Sequence, residues 1–108
     1  MSITINEIAK EIHENAVAHG WWDEPRGFGE IVALCHSELS EALESDRMDE
    51  PFVWHHDGGK PEGVAVEMID CIIRILDWCG YVGIDPEAVL LEKHEYNKTR
   101  PYKHGKKY

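Results

Sequence analysis

At 108 residues the chain has the length of one domain, and a formal charge of −10 excludes a general nucleic-acid binder, which would present a basic surface. The charge is unevenly spread: residues 93–108 hold 6 basic and 1 acidic side chains, and the 92 residues before them hold 5 and 20. An acidic body with a basic tail suits a polyanionic ligand held between cation-binding acids and basic side chains.

Thr4 to His19 reads as the first helix. Thr4 and Glu7 have the spacing of a capping box, Ile3 and Ile8 that of a hydrophobic staple, and Ile5, Ile8, Ile12 and Ala16 form one apolar stripe before Gly20. Trp21 and Trp22 follow in a loop with Asp23, Pro25, Gly27 and Gly29, as packing anchors or as a stacking wall for an aromatic ligand. A second helix runs from about Phe28 to Asp46. Its apolar face contains Ile31, Leu34, Cys35, Leu39, Ala42 and Leu43, and Glu38 falls inside that face, with Glu41 one turn on at its shoulder.

Residues 45–63 show no sustained period and read as a long loop of functional or mobile character. The stretch Val64 to Cys79, VAVEMIDCIIRILDWC, is apolar nearly all round, the mark of an interior helix expected to end at Gly80. Glu67, Asp70, Arg74 and Asp77 interrupt it at i, i+3, i+7 and i+10, which stacks them along one face. Asp85 and Pro86 then start a fourth helix that Pro101 stops, with Lys93, Asn97 and Arg100 on one face. One domain, residues 1–108, of all-α class and four-helix-bundle type is the expected architecture.

Cys35, Cys71 and Cys79 are odd in number, form no C-x-x-C pair and read as buried free thiols of a reducing compartment. No charged-then-apolar signal pattern is visible, and the one long apolar stretch carries four charges, unfit for a membrane span. A cytoplasmic protein with no membrane or nucleic-acid partner is expected.

Two helices thus each present a carboxylate pair at i, i+3: Glu38 with Glu41, and Glu67 with Asp70. Two like charges about 5.5 Å apart repel by roughly 3 kcal/mol at an effective dielectric of about 20, so four that share one interior must be neutralised by protons or cations. All four are hard oxygen donors, which favours Mg²⁺ or Mn²⁺ over zinc, and no Glu-x-x-His occurs to build a ferritin-like di-iron centre. Acids that hold a metal, beside a basic helix face, describe a phosphate site: Lys93 and Arg100 can hold outer phosphates, and Asn97 phosphate or sugar. Arg74 can instead partner Asp70 or Asp77; a supporting Arg74–Asp77 ion pair is the preferred reading.

The order Glu38-x-x-Glu41, a variable stretch, Glu67-x-x-Asp70 and a helix with Lys93, Asn97 and Arg100 resembles the MazG-like group of all-α nucleoside triphosphate pyrophosphatases. The resemblance runs from about Ile31 to the tail, where EKHEYNKTRPYKHGKKY is especially similar. It implies a four-helix active-site bundle, completed in a homodimer or homotetramer, that uses Mg²⁺ to cleave a nucleoside triphosphate into monophosphate and pyrophosphate. Glu38, Glu41, Glu67 and Asp70 would be metal ligands by carry-over, with Glu41 also orienting or deprotonating the attacking water. The family motif often opens with two adjacent glutamates, and Ser37 stands at the first of them here. Glu41-x-x-Glu44 also satisfies the short pattern; Glu38 is preferred because it interrupts the apolar face. Base recognition does not transfer by motif, and Trp22 and Trp54 are the stacking candidates. Two alternatives stand beside this reading: a helical module that binds metal and nucleotide with little or no turnover, and a structural ion-pair network centred on Arg74.

Overall fold

Thr4 starts the first helix through its own side chain in the computed structural model, which describes residues 2–108. Its Oγ1 accepts from the Glu7 amide at 3.0 Å while the Glu7 carboxylate accepts from the Thr4 amide at 3.4 Å, closing the capping box ahead of α1 (Ile5–Ala18). Arg26 anchors the entry to α2 (Phe28–Arg47): its Nε donates to Glu30 at 2.7 Å, and its guanidinium lies over the Trp21 and Trp22 rings.

The segment after α2 is not wholly loop. Trp54–His55 (β1) pairs antiparallel with Pro61–Glu62 (β2), and the His56 carbonyl accepts from the Gly59 amide at 2.8 Å to close the turn. Strands of two residues are too short to show alternation, so the sequence carried no period to read.

The helix expected to be interior, α3 (Val64–Val82), buries only Glu67, Cys71, Asp77 and Cys79. It leaves Met68, Ile69, Ile72 and Ile75 exposed, because α1 and α2 cover only part of its circumference, and it continues past Gly80, where the sequence suggested a stop. Gly80 is instead a point of close approach, since a Cβ there would lie 2.6 Å from the Cβ of His13 on α1. The helix ends at Gly83, whose φ of +79° supplies the left-handed cap and whose amide donates to the Cys79 carbonyl at 2.9 Å. Asp85 then caps α4 (Pro86–Lys98), accepting from the Ala88 amide at 2.9 Å.

The class is all-α, with α3 in the middle. α2 lies antiparallel on one side of α3, as the Glu38–Arg74 and Phe28–Trp78 contacts show, and α1 lies antiparallel on another, through His13–Asp77. α4 packs chiefly on the start of α1: the Asn6 amide donates to Glu87 at 2.9 Å and its side chain to Asp85 at 2.8 Å. The radius of gyration is 16.4 Å, against about 13 Å for a compact chain of this length. Among the described residues no side chain is completely buried, and no helix is long and apolar enough to cross a membrane.

Candidate metal centre

The antiparallel α2–α3 pair brings the two acidic pairs together. Glu38 and Glu67 are both buried, at 7% exposure each, and with half-buried Asp70 they offer carboxylate oxygens within 4.8 Å of one another. Opposite ligands of a Mg²⁺ octahedron stand about 4.2 Å apart, so the three acids need little movement to share one ion, and their donor set of hard oxygens suits it. Glu41 is exposed and lines the same cavity of about 440 Å³ together with Glu44, so both registers of the first motif reach it. Their burial separates them: Glu38 is enclosed, whereas Glu44 is exposed on the wall.

Electrostatics mark the same place. Burial first, then hydrogen bonds to Glu41 and Glu38, push the Glu67 carboxyl up to about 8, so in the metal-free chain it holds a proton at neutral pH. Burial, followed by the Glu38 charge, also raises Asp70.

Arg74 does not pair with Asp77. Its Nε donates to Glu38 Oε1 at 2.9 Å, across to α2. Asp77 accepts from the Trp22 indole at 3.0 Å and bonds His13 Nδ1 at 2.8 Å, toward α1. The stripe on α3 is continuous, but it runs along the line where α1 and α2 meet over that helix, so neighbours 60° apart around the axis find partners on different helices.

The hairpin supplies groups that the sequence reading did not include. Lys60 and Glu62, bonded at 2.9 Å, stand over the acidic cavity, and the hydrogen bond from Lys60 holds Glu62 below the usual carboxylate range. Ser45 donates to Glu50 at the cavity's other edge. Nothing periodic marked these residues; the one signal was the density of charge around Pro61.

Trp22 is not part of this cavity. It stacks on Tyr81 with ring centroids 4.0 Å apart, which makes it a packing anchor between α1 and α3. Trp54 sits on β1, tilted against His56. Lys93, Asn97 and Arg100 share α4 or its end, where Lys93 and Arg100 both lie over the Tyr96 ring; none of the three lines the acidic cavity within one chain.

A second cavity of about 440 Å³ adjoins the first. Glu38 and Asp70 are common to both, and the second is walled by Trp21, Arg26, Arg74 and Asp77. No protein-family model, no curated protein and no solved structure matches this chain.

Proposed function

We propose that the chain binds a divalent cation, Mg²⁺ or Mn²⁺, through Glu38, Glu67, Asp70 and Glu41, and hydrolyses a nucleoside triphosphate to monophosphate and pyrophosphate. The observation that carries the reading is the convergence of three carboxylates from two helices within 4.8 Å, two of them buried. Such a cluster is stable only with protons or a cation among its oxygens. The order and spacing of the acids, similar to those of MazG-like pyrophosphatases, support a triphosphate as substrate.

A bound cation supplies charge neutralisation for the phosphate oxygens and a lower pKa for water. Glu41, exposed on the cavity wall, has the access to orient that water and take its proton, while Glu38, Glu67 and Asp70 are too enclosed to do more than ligate. Water attacks the α-phosphorus, the bond between the α-phosphorus and the bridging oxygen breaks, and pyrophosphate leaves with that oxygen.

One observation favours a second reading, a module that binds metal and nucleotide without turnover: the acidic cavity of a single chain contains none of the basic residues of α4. Incubation with Mg²⁺ and a panel of NTPs and dNTPs separates the readings. Monophosphate plus pyrophosphate supports the enzyme; diphosphate plus orthophosphate overturns it; Mg²⁺-dependent nucleotide binding without products selects the module.

A further inference from the structure

We infer that Cys35 and Cys71 form a redox modification site, at which hydrogen peroxide converts the two thiols to a disulfide that fastens α2 to α3 one turn from the acidic cluster. The placement rests on the register of the two helices. Phe28 meets Trp78 with ring centroids 5.4 Å apart, and further along the pair Glu38 and Glu67 offer oxygens within 4.8 Å of one another. From the first contact α2 advances seven residues to Cys35, and α3 runs back seven residues to Cys71. Seven residues make two turns to within about 20°, so both cysteines stay on the faces where Phe28 and Trp78 meet. One more turn on each helix leads to Glu38 and Glu67, which again lie opposite each other.

The surroundings of the two thiols agree with this register. Cys71 is buried and Cys35 half-buried. Burial pushes the Cys35 thiol up, and the Cys71 thiol beside it pushes in the same direction. Helix axes about 8–10 Å apart, with Cα atoms about 2.3 Å from each axis, put squarely facing positions about 3.4–5.4 Å apart at Cα, and offset ones further. A disulfide spans about 4.4–6.8 Å between Cα atoms, so the bridge closes without unwinding either helix. Cys79 is an internal control. It stands about 12 Å along α3 from Cys71, lines a different cavity with Ala9 and His13 of α1, and is raised by burial alone.

Cys35, the less enclosed thiol, is the one that peroxide reaches first. Its sulfur attacks one peroxide oxygen. The S–O bond forms, the O–O bond breaks, and the departing hydroxide leaves as water with the Cys35 proton. The Cys71 sulfur then attacks the sulfenic sulfur. The S–S bond forms, the S–O bond breaks, and a second water leaves with the Cys71 proton. Two thiols and one peroxide thus give one disulfide and two waters, with sulfur oxidised and peroxide oxygen reduced. A thiol held above its ordinary range reacts slowly in the first step, whereas the second step has its nucleophile already in place. The site therefore answers sustained oxidant, and the sulfenic acid closes to the disulfide before it can be oxidised further.

The bridge joins the helices about 5 Å along their axes from Glu38 and Glu67, so it restrains the movement by which the buried carboxylates adjust to a cation. The rise in melting temperature on adding Mg²⁺ is accordingly expected to be at most half as large in the oxidised chain as in the reduced one. This coupling rests on the metal reading given above; the disulfide does not, and it is read by mass.

The full chain is treated with hydrogen peroxide, unfolded, alkylated with N-ethylmaleimide and weighed intact. One maleimide in place of three is expected, at Cys79, together with a linked pair of peptides that contain Cys35 and Cys71; dithiothreitol should restore all three. Three maleimides after peroxide, sulfinic or sulfonic acid at Cys35 without the link, or a link to Cys79 or to a second chain overturns the inference. In Cys71→Ala the Cys35 sulfenic acid is expected to persist and to be trapped by dimedone, and in Cys35→Ala no adduct should form at Cys71. The opposite labelling reverses the order of attack and refutes Cys35 as the first thiol. The wild-type masses decide the disulfide whether or not either variant folds. Thermal shifts of the two wild-type forms with Mg²⁺ test the coupling. Equal shifts sink it, and no shift in the reduced chain refutes the metal reading, while the masses still decide the disulfide.

Discussion

Arg74 Nε stands 2.9 Å from Glu38 Oε1, so the acidic cluster already contains one cation, supplied by α3 itself. A divalent ion held there, as proposed, would have to compete with the guanidinium for that oxygen. Arg74→Met is therefore expected to do two opposite things. Without metal it leaves Glu38 unpaired and costs about 1–2 kcal/mol, a value discounted because the arginine side chain is 33% exposed. With metal it removes the competitor, so the rise in melting temperature on adding Mg²⁺ should exceed that of the wild type. Differential scanning calorimetry with and without Mg²⁺ measures both; an unchanged or smaller Mg²⁺ shift shows that Arg74 does not compete.

Glu67 sets a pH dependence whose sign follows from its raised pKa. With the folded value at about 8 and the ordinary value 4.5, the folded chain holds this proton more tightly than the unfolded chain. The resulting stabilisation is complete below pH 4.5 and is lost as pH rises through 8. Metal-free protein should accordingly lose stability from Glu67 between about pH 5 and 8. Mg²⁺ requires the ionised form, so its stabilising effect should be larger at pH 8 than at pH 6. Glu67→Gln should flatten this part of the metal-free profile and reduce the Mg²⁺ effect. Urea midpoints across pH check the slope, and a wild-type profile that rises over this window would contradict the assignment.

What was legible in the sequence was local. Thr4 with Glu7 and Asp85 with Pro86 encode their helix starts within four residues, and both appear as caps. The convergence of Glu38 with Glu67 and Asp70 was also readable, because charges set in apolar faces have to meet one another or a cation. Pairings decided by tertiary packing were not readable. Arg74 had two acids on its own helix within reach by spacing, yet it bonds one 36 positions away, since α2 and not the solvent lies above it. Gly80 looked like a helix stop because glycine serves both ends and close approaches; only the position of His13 shows which role it has. Lys93 and Asn97 lie one turn apart on α4, but the helix ends at Lys98, before Arg100 and short of the stop expected at Pro101, and no periodicity says against what that helix packs.

Asp77 is a structural acid in this fold. It accepts from Trp22 Nε1 at 3.0 Å and bonds His13 Nδ1 at 2.8 Å, tying the first loop and α1 to α3. Asp77→Ala leaves two part-buried polar groups without that partner and should cost about 2–4 kcal/mol. Asp77 stands two turns from Asp70, about 10 Å along the helix, so the Mg²⁺-induced shift should survive in the variant. Urea denaturation gives the first quantity and thermal shift the second. Loss of the Mg²⁺ effect in a folded Asp77→Ala protein would place this acid in the metal centre.

Gly80 and Gly29 give opposite expectations for one substitution. Both lie inside helices, where alanine is favoured over glycine by about 1 kcal/mol. At Gly29 a Cβ meets nothing within 4 Å, so Gly29→Ala should be neutral or stabilise by up to about 1 kcal/mol. At Gly80 the added carbon would stand 2.6 Å from His13 Cβ and 2.8 Å from its Cγ, and the nearer of the two, Cβ, is fixed to the α1 backbone and cannot swing aside. Separating α1 from α3 costs about 1–3 kcal/mol of overpacking and strains the His13–Asp77 bond, which outweighs the gain in propensity. Gly80→Ala should therefore be destabilising, and less so in a His13→Ala background, where the Cγ contact is gone and the helices can close again. A double-mutant cycle in urea measures the coupling. Equal costs in both backgrounds would show that something other than the α1 contact keeps glycine at this position.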